Sequence, residues 1–111
     1  MKKVTTLFYK TNAGNKPVQE WLLSLDEDDR KIISKDIKIT EYGLQVGMPI
    51  FQSHNQKLFE VRSNISDKRI SRVIFTMIDE YMVLLHAFIT KIPRTTKRDI
   101  ELALDRLKSL K

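Results

Sequence analysis

Lys57-Leu58-Phe59-Glu60-Val61-Arg62 alternates in side-chain character, the pattern of a β-strand whose successive side chains point to opposite faces. Phe59 and Val61 fall on one side, and Leu58, Glu60 and Arg62 on the other. Ser63-Asn64-Ile65-Ser66-Asp67-Lys68 reads as a turn, and residues 70–77 as a second strand that places Val73 and Phe75 opposite Arg72. Asp79-Glu80 is a short turn before residues 81–89, which are nearly all apolar, as a central strand would be. Links this short predict an antiparallel meander of three strands.

Upstream, Val4-Thr5-Thr6-Leu7-Phe8-Tyr9 is β-branched and aromatic and reads as a further strand, closed by the turn chemistry of residues 11–15. Pro17 suits a first helical turn, and Val18, Trp21, Leu22 and Leu25 follow as one apolar stripe. The run Asp26-Glu27-Asp28-Asp29 could hold a metal or start a second helix. The second account is preferred, with Asp26 as cap and the carboxylates facing the positive end of the dipole. That helix carries Ile32, Ile33, Ile37 and Thr40 and is expected to stop near Gly43, before a connector to Asn55. Downstream, residues 96–99 have the form of a capping box ahead of the stripe Ile100, Ala103, Leu104 and Leu107. The predicted fold class is therefore α+β: a small twisted, mainly antiparallel sheet with two N-terminal helices and a C-terminal helix. The helices are expected on one face, with the other partly open.

A length of 111 residues fits one domain, residues 1–111, with enough core to fold unaided. The absence of cysteine excludes disulfide scaffolds, zinc ribbons and thiol enzymes. Residues 82–89, interrupted by His86, are far shorter than the ~20 that span a bilayer. No apolar signal segment follows Met1-Lys2-Lys3, so a cytoplasmic protein with no membrane contact is expected. The net charge is +6: residues 1–55 hold 8 basic and 7 acidic side chains, and residues 56–111 hold 12 and 7. The excess in the second half suits a polyanion or an acidic protein, or simply a lysine-rich surface.

There is no glycine-rich phosphate loop, no Ser-His-Asp set and no metal-spaced cluster, and His54 and His86 are too few for a zinc site. The remaining candidates are cationic. With a turn centred near Asp67, Arg62 and Arg72 face each other with Cβ atoms about 5 Å apart. Like charges in that position destabilise a sheet, and a phosphate between two guanidinium forks would account for them. Pairing with Glu60 on the same face is the alternative. Lys91, Arg94, Lys97 and Arg98 add positive charge near one sheet edge, although cations at a helix start oppose its dipole. His86, in an apolar strand, reads first as a hydrogen-bonded core residue and second as an acid–base catalyst.

Leu58-Phe59-Glu60-Val61-Arg62, then Ser71-Arg72-Val73-Ile74-Phe75, then Val83-Leu84-Leu85-His86-Ala87-Phe88-Ile89-Thr90-Lys91, and finally residues 99–106 resemble, in this order, the HigB-like branch of the RelE/ParE toxin superfamily. Residues 16–22 are similar to that family's first helix. The family's paired lysines are Thr90-Lys91 here, and the glycine before Phe88 is Ala87. The resemblance implies a RelE/ParE-like fold and the toxin of a type II toxin–antitoxin pair. Such a toxin cleaves mRNA on the translating ribosome without metal or other cofactor, and a helix-turn-helix, HigA-like antitoxin neutralises it. It places Arg62 and Arg72 where related toxins hold catalytic or phosphate-binding cations, and Lys91 at the family's lysines; Glu60 completes the candidate catalytic set, and Lys57, Lys68, Arg69, Arg94 and Lys97 are the candidate RNA-binding residues.

For such a reaction the 2′-OH attacks the adjacent phosphate. Arg62 and Arg72 would clamp the phosphate, and Lys91, its pKa lowered by neighbouring cations, or Glu60 would move the proton. Arg72→Ala is expected to abolish toxicity with the fold intact. Two other readings stay open: a ParE-like toxin that poisons DNA gyrase and cuts no RNA, and a basic nucleic-acid-binding module without catalysis.

Overall fold

A computed structural model describes residues 3–47 and 57–110. His54 and the connector from residue 48 to residue 55 lie outside the described residues. The elements are β1 (Thr5–Phe8), α1 (Pro17–Leu23), α2 (Glu27–Gln45), β2 (Phe59–Asn64), a 3-10 turn (Ser66–Lys68), β3 (Ile70–Ile78), β4 (Tyr81–Thr90) and α3 (Lys97–Ser109). Strand, two helices, three strands, helix is the order the periodicity predicts. The four strands form one sheet in the order β1-β4-β3-β2. β2, β3 and β4 are the expected antiparallel meander, and β1 joins its far edge parallel to β4.

The edge strand β1 is held by α2. The N–H of Val4 donates to Gln45 Oε1 at 3.1 Å and that of Thr6 to Glu41 Oε2 at 2.9 Å. Such bonds blunt an edge that would otherwise pair with another chain.

Helices cover both faces, which corrects the expectation of one open face. On one side Val18 and Leu22 of α1 and Ile33 and Ile37 of α2 pack with Val61, Val73, Phe75, Met82 and Leu84. On the other, Ala103 and Leu107 of α3 pack with Leu58, Ile74, Val83, Leu85 and Tyr9. The cause is visible in Val73-Ile74-Phe75 and Leu84-Leu85, since a strand apolar at consecutive positions must be covered twice.

A β-bulge in β4 sets the phase of the second face. Ile74 pairs with His86 and Phe75 with Leu84, so Leu85 is an extra residue. Beyond it Ala87 and Ile89 pack on the α1–α2 side, and Phe88 on the α3 side. His86 is thereby turned toward α3 rather than into the larger core.

The C-terminal boundary of α2 and the chemistry at its N-cap differ from expectation. α2 continues past Gly43, which is buried within it, to Gln45. Gly47, at φ +82°, terminates it, with its N–H donating to the Leu44 carbonyl at 3.2 Å. Asp26 occupies the N-cap position, but its side chain makes no capping hydrogen bond. Asp29 is instead the structural carboxylate of that acidic run. It is buried and accepts from the Ser66 N–H at 3.1 Å, the Ser66 hydroxyl at 3.0 Å and Arg69 Nη2 at 2.7 Å. It ties the start of α2 to the β2–β3 turn, where Asp67 and Lys68 hold φ of 58° and 56°. Among the described residues no helix is long and apolar enough to cross a membrane.

Candidate functional site

Two cross-strand rows form the polar part of the face under α3. Arg62 pairs with Arg72, which pairs with Phe88; one step along, Glu60 pairs with Ile74, which pairs with His86. The facing of Arg62 and Arg72 is as the turn centre predicts. Their surroundings are not. Arg62 is exposed, whereas Arg72 is only 3% exposed, because α3 and the segment leading into it cover this end of the sheet.

Arg72 Nη1 donates to Glu60 Oε2 at 2.6 Å, and the Thr95 hydroxyl donates to Glu60 Oε1. The open two-arginine clamp is thus corrected to one enclosed guanidinium held by a buried carboxylate, beside one exposed guanidinium. Arg72 Nε and Nη2 are enclosed and have no hydrogen-bond partner among the described residues. Arginine does not deprotonate in proteins, so both are donors. A buried donor left unmet costs about 1–3 kcal/mol, more when charged. Arg72→Ala would leave the Glu60 carboxylate buried without its cation, so that variant loses stability instead of keeping the fold intact as the sequence suggests.

The other candidate residues fall into three groups. Arg69 is held by the Asp29 carboxylate and by the Ser66 carbonyl and hydroxyl, which fixes it in the turn and removes it from the open cations. Lys57, Lys68, Lys91, Arg94 and Lys97 are exposed. Lys97 approaches Glu101 at 3.9 Å with both side chains solvated. Lys91 stands exposed just after β4. Because Thr95 is fastened to Glu60, the 91–95 segment is drawn back over β2, and its cations share an end of the molecule with Arg62.

His86 is hydrogen-bonded, as an apolar strand demands. Its partner, which sequence did not identify, is Asp99 in the first turn of α3, with Nε2 and Oδ1 2.8 Å apart. Thr96 caps that helix by accepting the Asp99 N–H at 3.3 Å, half of the expected capping box. The His86 ring stacks on Phe88, with centroids 5.4 Å apart and planes at 22°. Burial holds its pKa below the ordinary 6.5, with the Arg106 cation adding to that effect and Asp99 opposing it. Among the described residues no three metal-ligating side chains come together.

Thr95 carries no sequence signal of its role, since a hydroxyl in a loop has many possible partners. Asp99 is visible as a first-turn carboxylate, but its reach to β4 depends on how α3 lies across the sheet.

Residues 20–108 match the model of a family described as Phage derived protein Gp49-like (DUF891), which is most of the chain. No curated protein matches it.

Proposed function

We propose, from the premise that this chain belongs to the Gp49-like family of RelE-like toxins of toxin–antitoxin pairs, that it is an endoribonuclease cutting mRNA on the translating ribosome in the cytoplasm. Family membership brings an antitoxin partner with it; we take that antitoxin to be a HigA-like helix-turn-helix protein.

The observation that carries the proposal is the enclosed Arg72 guanidinium. One edge is neutralised by Glu60, two donor nitrogens are unmet, and exposed Arg62 stands directly opposite on β2. Two adjacent N–H groups of one guanidinium fit two oxygens of a phosphate. Glu60 fixes the direction of those donors before substrate arrives, and binding a phosphate requires only that the side chains enclosing them give way. Glu60 then positions Arg72, Arg62 captures the phosphate from solvent, and Lys57, Lys68, Lys91, Arg94 and Lys97 guide the RNA backbone. The 2′-oxygen adjacent to the held phosphate attacks phosphorus and the bond to the 5′-oxygen breaks, with no cofactor taking part.

Brief induction followed by mapping of mRNA 5′ ends tests this. Cuts within translated codons are expected, and markedly fewer of them when Arg62 is replaced by Ala. Intact mRNA with a DNA-damage response would overturn the nuclease reading in favour of a gyrase poison.

A further inference from the structure

The cations around Arg72 account for phosphate binding but leave the proton of the attacking hydroxyl without an acceptor. Arginines do not accept protons. Both Glu60 oxygens are engaged, by Arg72 and by Thr95. Lys91 stands in the exposed loop. His86 differs from all of these. It lies on the same face, one residue pair along β4 from Phe88, and so diagonally across from Arg72. Such diagonal neighbours are about 7–8 Å apart, within reach of long side chains. A phosphate on Arg72 would therefore present its neighbouring ribose near the imidazole.

The Asp99 carboxylate can only accept, so the proton of a neutral His86 ring is on Nε2, and Nδ1 carries the lone pair. Asp99 is itself fixed by the Thr96 cap, and stacking on Phe88 holds the plane of the ring. An imidazole with one nitrogen held by a carboxylate and the other unprotonated is the arrangement of a general base.

We propose that His86, oriented by Asp99, is the general base of RNA cleavage in this protein. Nδ1 removes the 2′-OH proton as O2′ bonds to phosphorus. The bond to O5′ breaks, and the 5′-oxygen takes a proton from water, leaving a 2′,3′-cyclic phosphate and a 5′-hydroxyl. Among the described residues, the charged groups that face His86 are Asp99 and Arg106 of α3, Arg72 of β3 and, a strand further away, Glu60 of β2. This rests on the nuclease reading above.

The test is single-turnover cleavage of mRNA on purified ribosomes from pH 5 to 9, with thermal melts of each protein. The unsubstituted protein should lose rate on an acid limb lying below the ordinary imidazole value of about 6.5, because burial lowers the His86 pKa. His86→Gln should lower the rate constant by about 100-fold or more, as removal of a general base does, with the acid limb gone and KM little changed. Asp99→Asn should keep a limb, moved to lower pH, because the carboxylate that favours the imidazolium is gone. An acid limb retained in His86→Gln overturns the inference while leaving the nuclease reading in place. If His86→Gln melts below the assay temperature, an unmoved limb in Asp99→Asn overturns it equally. No cleavage by the unsubstituted protein at any pH overturns both.

Discussion

Arg62 and Arg72 are paired residues on adjacent strands with opposite consequences when replaced. Arg62 is exposed and is not among the residues that hold the two cores together. Arg62→Ala should change unfolding free energy by less than about 0.5 kcal/mol. It should slow RNA cleavage by about 10- to 100-fold, the worth of one charge-assisted contact to phosphate. Denaturant titration and single-turnover cleavage on the same preparation check both. Removing one partner of the buried Arg72–Glu60 pair strands the other, so Glu60→Ala should destabilise by about 3–5 kcal/mol. Replacing both with apolar residues of similar volume, Glu60→Leu with Arg72→Met, should recover most of that stability and none of the cleavage. The alternation of residues 57–62 and the position of the turn were enough to predict that the arginines face each other. Which of them is enclosed was not legible, because Thr95 and α3, distant in sequence, decide it.

The elements are joined by polar clamps as well as by packing, and the Asp29 clamp makes stability pH-dependent. The Ser66 backbone N–H, then its hydroxyl and the Arg69 guanidinium, hold the Asp29 carboxyl below its ordinary 3.8, against the opposing effect of burial. A carboxyl with a depressed folded-state pKa stabilises the fold fully above its unfolded value. That contribution is lost as pH falls from about 4 through the depressed value. Asp29→Asn should therefore lower the midpoint of urea unfolding at pH 7 and flatten its fall below pH 4, while leaving that fall in place for other carboxylates. An unchanged acid slope in the variant would remove Asp29 from this role. The acidic run before α2 was readable as a helix start. That its fourth member would leave the helix dipole for a turn some 40 residues away was not, since such a contact has no local pattern.

At the scale of the whole molecule, one sheet serves two cores, and among the described helices it is α3 that closes the second. Leu107 is buried there with Leu58, Ile74 and Leu85. Leu107→Ala should cost about 2–5 kcal/mol by lost burial and cavity formation. It should also loosen the roof over Arg72, so that cleavage falls together with stability; urea unfolding followed by a cleavage assay in the folded range checks this. The bulge at Leu85 matters as much as the helix, because without the extra residue His86 would face the larger core and meet no carboxylate. The sequence by itself determined the elements, their order, the antiparallel meander and the residues sharing each strand face, since period, turn chemistry and short links are local properties of the chain. Tertiary structure alone decided that α3 crosses the second face, that Arg72 is enclosed while Arg62 is not, and that His86 meets Asp99. Those outcomes depend on which distant segments share one volume, and side chains enclosed there must find partners wherever the packing puts them.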